Sequence, residues 1–206
     1  VASVGRGASI VAHENVLNRM ASPGARQQAA PVGAQPTDTY FDELHKLPNY
    51  FNGEAVVVYH APAANTDGDS LVFFRRSEVI AAGNLFSTVS YPVIDVDNGG
   101  TIQGVIDGLN RIIDLAVPEY RSQGGTWVIP SHGRVSDTAD VASYRNMVTM
   151  MRDRIQDMKS KGMTLAQVKA ARPTLDFDGR YGATAGEWTT DKFVEAVYRT
   201  VQEERR

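Results

Sequence analysis

The residues able to do chemistry gather in three short polar stretches. Asn65-Thr66-Asp67-Gly68-Asp69 comes soon after the apolar run Val56-Val57-Val58-Tyr59, Gly83-Asn84-Leu85-Phe86 follows Val79-Ile80-Ala81-Ala82, and Ser131-His132-Gly133 follows Trp127-Val128-Ile129. Carboxylates and an imidazole are metal-ligand types, and strand ends are where layered α/β sheets collect ligands. The chain has no cysteine and four histidines, His13, His45, His60 and His132. Disulfides and thiolate sites are thereby excluded, and any metal would rest on imidazole and carboxylate.

Each stretch taken singly also reads as plain structure. Asp and Gly between strands are turn material, because Asp bonds back to nearby amides and Gly accepts positive φ. Asn84 tolerates left-handed backbone nearly as well as Gly83. A lone histidine after a strand, such as His132, is more often a hydrogen-bonded structural residue than a ligand. His60 reads as packed at a strand end, His45 as part of a polar loop, and His13-Glu14 as a strand-to-helix junction where the helix dipole favours Glu14. His60, Asp67 and His132 form the one makeshift trio that could rescue a metal.

The elements that must position these residues follow from periodicity. Residues 8–12 form a strand-like run into a helix over 14–20, with Val16, Leu17 and Met20 at helical spacing. Residues 22–36, rich in Ala, Gln, Gly and Pro, have no period and read as an exposed loop. Three continuous apolar runs, 55–59, 71–74 and 79–82, suggest strands buried on both faces. Thr101 opens a helix whose Ile102, Val105, Ile106, Leu109, Ile112, Ile113 and Ala116 make a broad stripe, stopped by Pro118. Residues 127–129 read as a last buried strand. Beyond residue 140 come a helix closed by Gly162, a shorter one with the capping box Thr164/Gln167 ended by Pro173, and a third over 190–201.

Composition narrows the function class. A chain of 206 residues, 42% apolar and 22% charged, can bury a real core as a soluble globular protein. Its net charge of −3 leaves no basic field for nucleic acid, and Arg75-Arg76 and Arg205-Arg206 read as solvated pairs. No apolar run nears the roughly 20 residues of a membrane span. The chain opens on Val1, which suggests a processed or truncated N-terminus and leaves the compartment open between cytoplasm and periplasm or secretion.

In combination and in this order, the three loops resemble those of the metallo-β-lactamase superfamily, where they read His-Thr-Asp-Gly-Asp, Gly-Asp-Leu-Phe and Gly-His-Gly. Residues 94–100, Ala170-Ala171-Arg172-Pro173-Thr174, Tyr181-Gly182 and residues 188–198 extend the likeness to a hydrolase-like branch over nearly all of residues 8–202. The resemblance implies a layered α/β fold, an αββα sandwich built from two similar halves. It also implies zinc ions that turn water into a nucleophile against an ester, lactone, amide or phosphodiester of a small-molecule substrate. On this pattern Asn65 stands where an imidazole binds metal, Asn84 where a carboxylate bridges two ions, and His132 alone keeps a ligand of the family's type. Asp67, Asp69 and His60 would stand behind the ligands. The family's opening motif, His-x-His-x-Asp-His, occurs nowhere in the sequence.

The resemblance therefore implies zinc, and the substitutions imply a degenerate centre that binds little or none. The expected organisation is a partial metallo-β-lactamase-like domain over residues 1–139, incomplete at its N-terminus, with a helical extension over 140–206 packed on it. A missing first half would leave a sheet face open. At about 25 cal/mol per Å2, several hundred Å2 of apolar surface forgo on the order of 10 kcal/mol, so a second copy or a further N-terminal segment is expected to cover it. The alternative to a hydrolase is a non-catalytic binding or scaffold protein that keeps the fold.

Overall fold

The computed structural model describes residues 8–22, 28–118 and 124–202. Strand β1 (Val11–His13) runs directly into helix α1 (Glu14–Ala21) and pairs in parallel with β2 (Asp38–Tyr40). Five further strands, β3 (Leu44–Lys46), β4 (Val56–Ala61), β5 (Asp69–Phe74), β6 (Val79–Ser87) and β7 (Trp127–His132), form one sheet in that order. Pairing is antiparallel from β3 to β6 and parallel between β6 and β7. A parallel pair needs a crossover, and helix α2 (Ile102–Leu115) supplies it. The chain then continues through α3 (Thr138–Ser160), α4 (Leu165–Ala171), α5 (Leu175–Tyr181) and α6 (Thr190–Thr200).

Local chemistry sets the helix ends. The Thr101 hydroxyl accepts the Gly104 amide to start α2, the Asp137 carboxylate accepts the Asp140 amide to start α3, and Thr164 with Gln167 closes a reciprocal capping box at α4. Gly162, at φ 79°, follows the end of α3 as expected. Helix α5 is an addition to the periodicity reading. With only seven residues and one buried side chain, Tyr181, it carries too short an apolar pattern to stand out.

The two faces of the large sheet are covered unequally. Paired residues share a face, so Val57, Tyr59, Leu71, Phe73, Ile80 and Val128 lie together on the inner one. That face joins a continuous apolar core with α2, α3, α4 and α6. The helical tail is also tied to the segment after β6: the Tyr91 ring stacks on Phe193 at 4.6 Å, and the Tyr144 hydroxyl donates to the Ser90 carbonyl at 2.8 Å.

On the outer face, cover fades from one edge to the other. Val56 and Val58 are buried near the β1–β2 pair, Val72, Phe74 and Val79 are half-buried, and Trp127 and Ile129 are 50% and 43% exposed. The expectation of a last buried strand is thus corrected. β7 is an edge strand whose residues alternate between core and solvent, with only Val128 inside. His45 also moves: it sits on β3, paired with Val58 and stacked on the Tyr40 ring at 5.2 Å, not in a polar loop. Within the loop expected over residues 22–36, Val32–Ala34 form one 3-10 turn, Val32 is turned to solvent, and residues 23–27 lie outside the described residues. Arg75 and Arg76 are exposed as expected, while the Arg205-Arg206 pair lies outside the described residues.

Candidate functional site

β4, β6 and β7 run in the same direction, so the polar stretches at or after their C-terminal parts come to one end of the sheet. Asn65 lies in the β4–β5 loop, Asn84 in the second half of β6, and His132 closes β7.

The Asn65 loop is anchored on every side. Its backbone meets the start of α2: the Thr101 amide donates to the Ala63 carbonyl at 2.8 Å, and the Asp95 amide to the Asn65 carbonyl at 2.8 Å. Glycine is required where they touch. A Cβ at Gly100 would lie 2.1 Å from the Asn65 oxygen and one at Gly104 1.9 Å from the Ala63 oxygen. Asn65 itself is buried, and its side-chain amide donates to the Val93 carbonyl at 2.8 Å. Asn65 is thus a strut between two loops.

The two aspartates hold the loop's shape. The Asp69 carboxylate accepts the Thr66 amide at 2.6 Å, closing the turn, and burial pushes its pKa up despite that hydrogen bond. Asp67 pairs with Arg19 of α1. Its backbone carbonyl accepts from the Asn15 side chain at 3.0 Å and from His60 Nε2 at 2.8 Å. Both carboxylates act on the loop, and His60 bonds to it from the end of β4.

Asn84 and His132 differ. Both are exposed, on adjacent strands where the β6–β7 register slips between Ala81 and Ser87. The His132 turn is held by backbone and hydroxyl contacts: the Thr88 amide donates to the His132 carbonyl at 3.1 Å, and Ser131 Oγ donates to the Phe86 carbonyl at 3.1 Å.

These residues do not fit a zinc centre. A catalytic zinc takes about three strong protein ligands, and here one exposed imidazole stands with two neutral amides, one of them committed to Val93. Among the described residues, no three His, Cys, Asp or Glu are grouped to hold a metal, so the trio of His60, Asp67 and His132 does not assemble. His60 instead faces His13, ring over ring at 3.7 Å.

Sequence reasoning missed the contribution of α1. Asn15 and Arg19, four apart and so on one face of that helix, both reach Asp67. Their spacing is a readable signal; their target, about fifty residues away, is not.

No family profile matches the sequence, and no curated protein does. Solved structures do. The stereoselective inverting sec-alkylsulfatase Pisa1 from Pseudomonas sp. is similar over 90% of this chain and 32% of its own, at 14% identity and a TM-score of 0.55. A metallo-β-lactamase from Pontibacter korlensis is similar over 70% of this chain and 59% of its own, at 14% identity and a TM-score of 0.50. The BLEG-1 B3 metallo-β-lactamase is similar over 68% of this chain and 65% of its own, at 16% identity and a TM-score of 0.50. The chain therefore spans less than two thirds of each of these structures. Across that span its mixed α/β architecture is that of metallo-β-lactamase-fold proteins, and at such identities the likeness speaks for the fold alone.

Proposed function

We propose that this chain is a metallo-β-lactamase-fold protein of hydrolase type whose zinc centre is degenerate. The ancestral reaction would be attack by zinc-bound hydroxide on an ester, lactone, amide or phosphodiester; the residues present here do not supply its ligands. One observation carries the reading. Nδ2 of buried Asn65 donates to the Val93 carbonyl, which fixes the side chain between two loops and leaves only a neutral amide oxygen where the family carries an imidazole.

Metal content tests this directly. Protein incubated with excess zinc and desalted is expected to retain well under one ion per chain by elemental analysis, while the double variant Asn65→His, Asn84→Asp retains more. Retention of about two ions by the unaltered chain would overturn the reading and direct attention to hydrolase substrates.

A binding or scaffold role is the second reading, favoured by the outer sheet face, where Trp127 and Ile129 are apolar and half-exposed. A second copy, or a further segment packed on that face, would bury them. Sedimentation of the unaltered chain and of Trp127→Lys separates the cases: a dimer lost on substitution supports self-association, and a monomer in both favours another occupant.

A further inference from the structure

The β1–α1–β2 unit lies against the large sheet through a cluster of aromatic rings. The His13 ring stacks on His60 of β4, with centroids 3.7 Å apart and planes 12° from parallel. Tyr40 of β2 meets His13 edge-on at 5.3 Å, lies flat on His45 of β3 at 5.2 Å, and shares a hydrogen bond with Ser70 of β5 at 2.5 Å. His13 and Tyr40 are both buried.

Hydrogen bonding specifies the neutral form of His13. Its Nδ1 accepts the Asn15 amide at 3.3 Å and so caps α1; that nitrogen carries no proton. His60 Nε2 faces the Asp67 carbonyl, which can only accept, so this nitrogen donates. A proton added to His13 must go to Nδ1. There it removes the helix cap and sets a positive charge at the positive end of the α1 dipole, directly over a second imidazole.

We propose that the stacked His13–His60 pair is a pH-operated clasp: mild acid charges it and releases the β1–α1–β2 unit from the outer face of the sheet. Release also frees the Asn15 and Arg19 contacts to Asp67, so the Asn65 loop loosens with it. The surroundings oppose charging on balance. Burial first, then the proximity of His60, hold His13 below the ordinary imidazole value, against the smaller opposite pull of Glu14, a hydrogen bond to the Phe41 backbone and Asp67. Other charged or titratable groups facing the cluster are Arg19, which Asp67 already neutralises, Tyr40, His45 and Asp69. On the far side of His60, Glu43, Asp107, Arg111 and Asp114 line a cavity of about 310 Å3, with Arg111 paired to Glu43. Because the folded chain lowers the His13 value, the stabilisation is complete above about pH 6.5 and is lost as the pH falls through the lowered value.

Hydrogen–deuterium exchange tests the clasp. Corrected for intrinsic rates, protection of residues 11–21 is expected to fall about tenfold between about pH 7.5 and 5.5 while α2 stays protected. His13→Asn, which keeps a side-chain acceptor to cap α1 but cannot charge, is expected to cut that fall to less than about threefold. Equal protection at both pH values, or an undiminished fall in His13→Asn, overturns the proposal. If the variant does not fold, histidine proton titration of the unaltered chain decides: a depressed His13 midpoint supports the clasp, and a His13 midpoint at the free imidazole value overturns it.

Discussion

The Asn65 loop and the Asn84–His132 strand pair sit at the same end of one sheet, and both carry polar residues at positions where metal ligands are expected, yet they are built differently. Around Asn65 the polar side chains are tied into the loop: Asn65 Nδ2 donates to Val93, Asp69 accepts the Thr66 amide, and Asp67 pairs with Arg19. Around Asn84 and His132 the backbone is fixed and the side chains are left to solvent. A position that loses its ligand can be absorbed into the fold when it is buried, because an unpaired buried amide is costly and must find a partner. An exposed position is under no such pressure, since water satisfies it.

The largest test of that contrast is Gly100→Ala. Its new Cβ would meet the backbone oxygen of Asn65, which has no flexible end to move aside, so unfolding free energy is expected to drop by about 3 kcal/mol or more in urea denaturation. A loss below about 1 kcal/mol would mean the loop yields as easily as the exposed strands do. Next in size is the pair Asn65→Ala and Asn84→Ala. The first removes a buried hydrogen bond and should cost about 1–2 kcal/mol; the second should stay within about 0.5 kcal/mol. Equal costs would erase the distinction between the two regions.

The smallest expected effect is on pH dependence. Burial raises the Asp69 pKa, so its contribution to stability is fully present below the ordinary carboxylate value and declines as the pH rises through the raised one. Asp69→Asn keeps an acceptor for the Thr66 amide without a charge to bury. It should flatten the fall in stability that sets in as the pH rises above the ordinary carboxylate value of about 4, read by urea denaturation across a pH series. An unchanged profile would place the acid-sensitive part of this loop elsewhere.

Much of the fold is legible in the residues themselves, for identifiable reasons. The α2 stripe, the capping box at Thr164 and the stop at Gly162 depend on residues within a turn or two of one another, and all three form as their spacing predicts. Features that depend on a neighbouring segment fare differently. The run Trp127-Val128-Ile129 does not say whether both its faces are covered, and β7 lies at the sheet edge with one face open. Residues 44–46 are too few to carry a period and read as loop; pairing with β4 makes them a strand.

At the candidate site the division is the same. Sequence alone determined which chemical groups are available: no thiolate, four imidazoles, and amides at Asn65 and Asn84. Only tertiary structure decided where they point. It turned Asn65 onto Val93, gave Asp67 to Arg19, and set His60 face to face with His13. Donor type is a property of a residue and is fixed by covalent chemistry. What a donor binds depends on which chain segments meet, and these partners are separated by 28, 48 and 47 residues of sequence, beyond the reach of any local pattern.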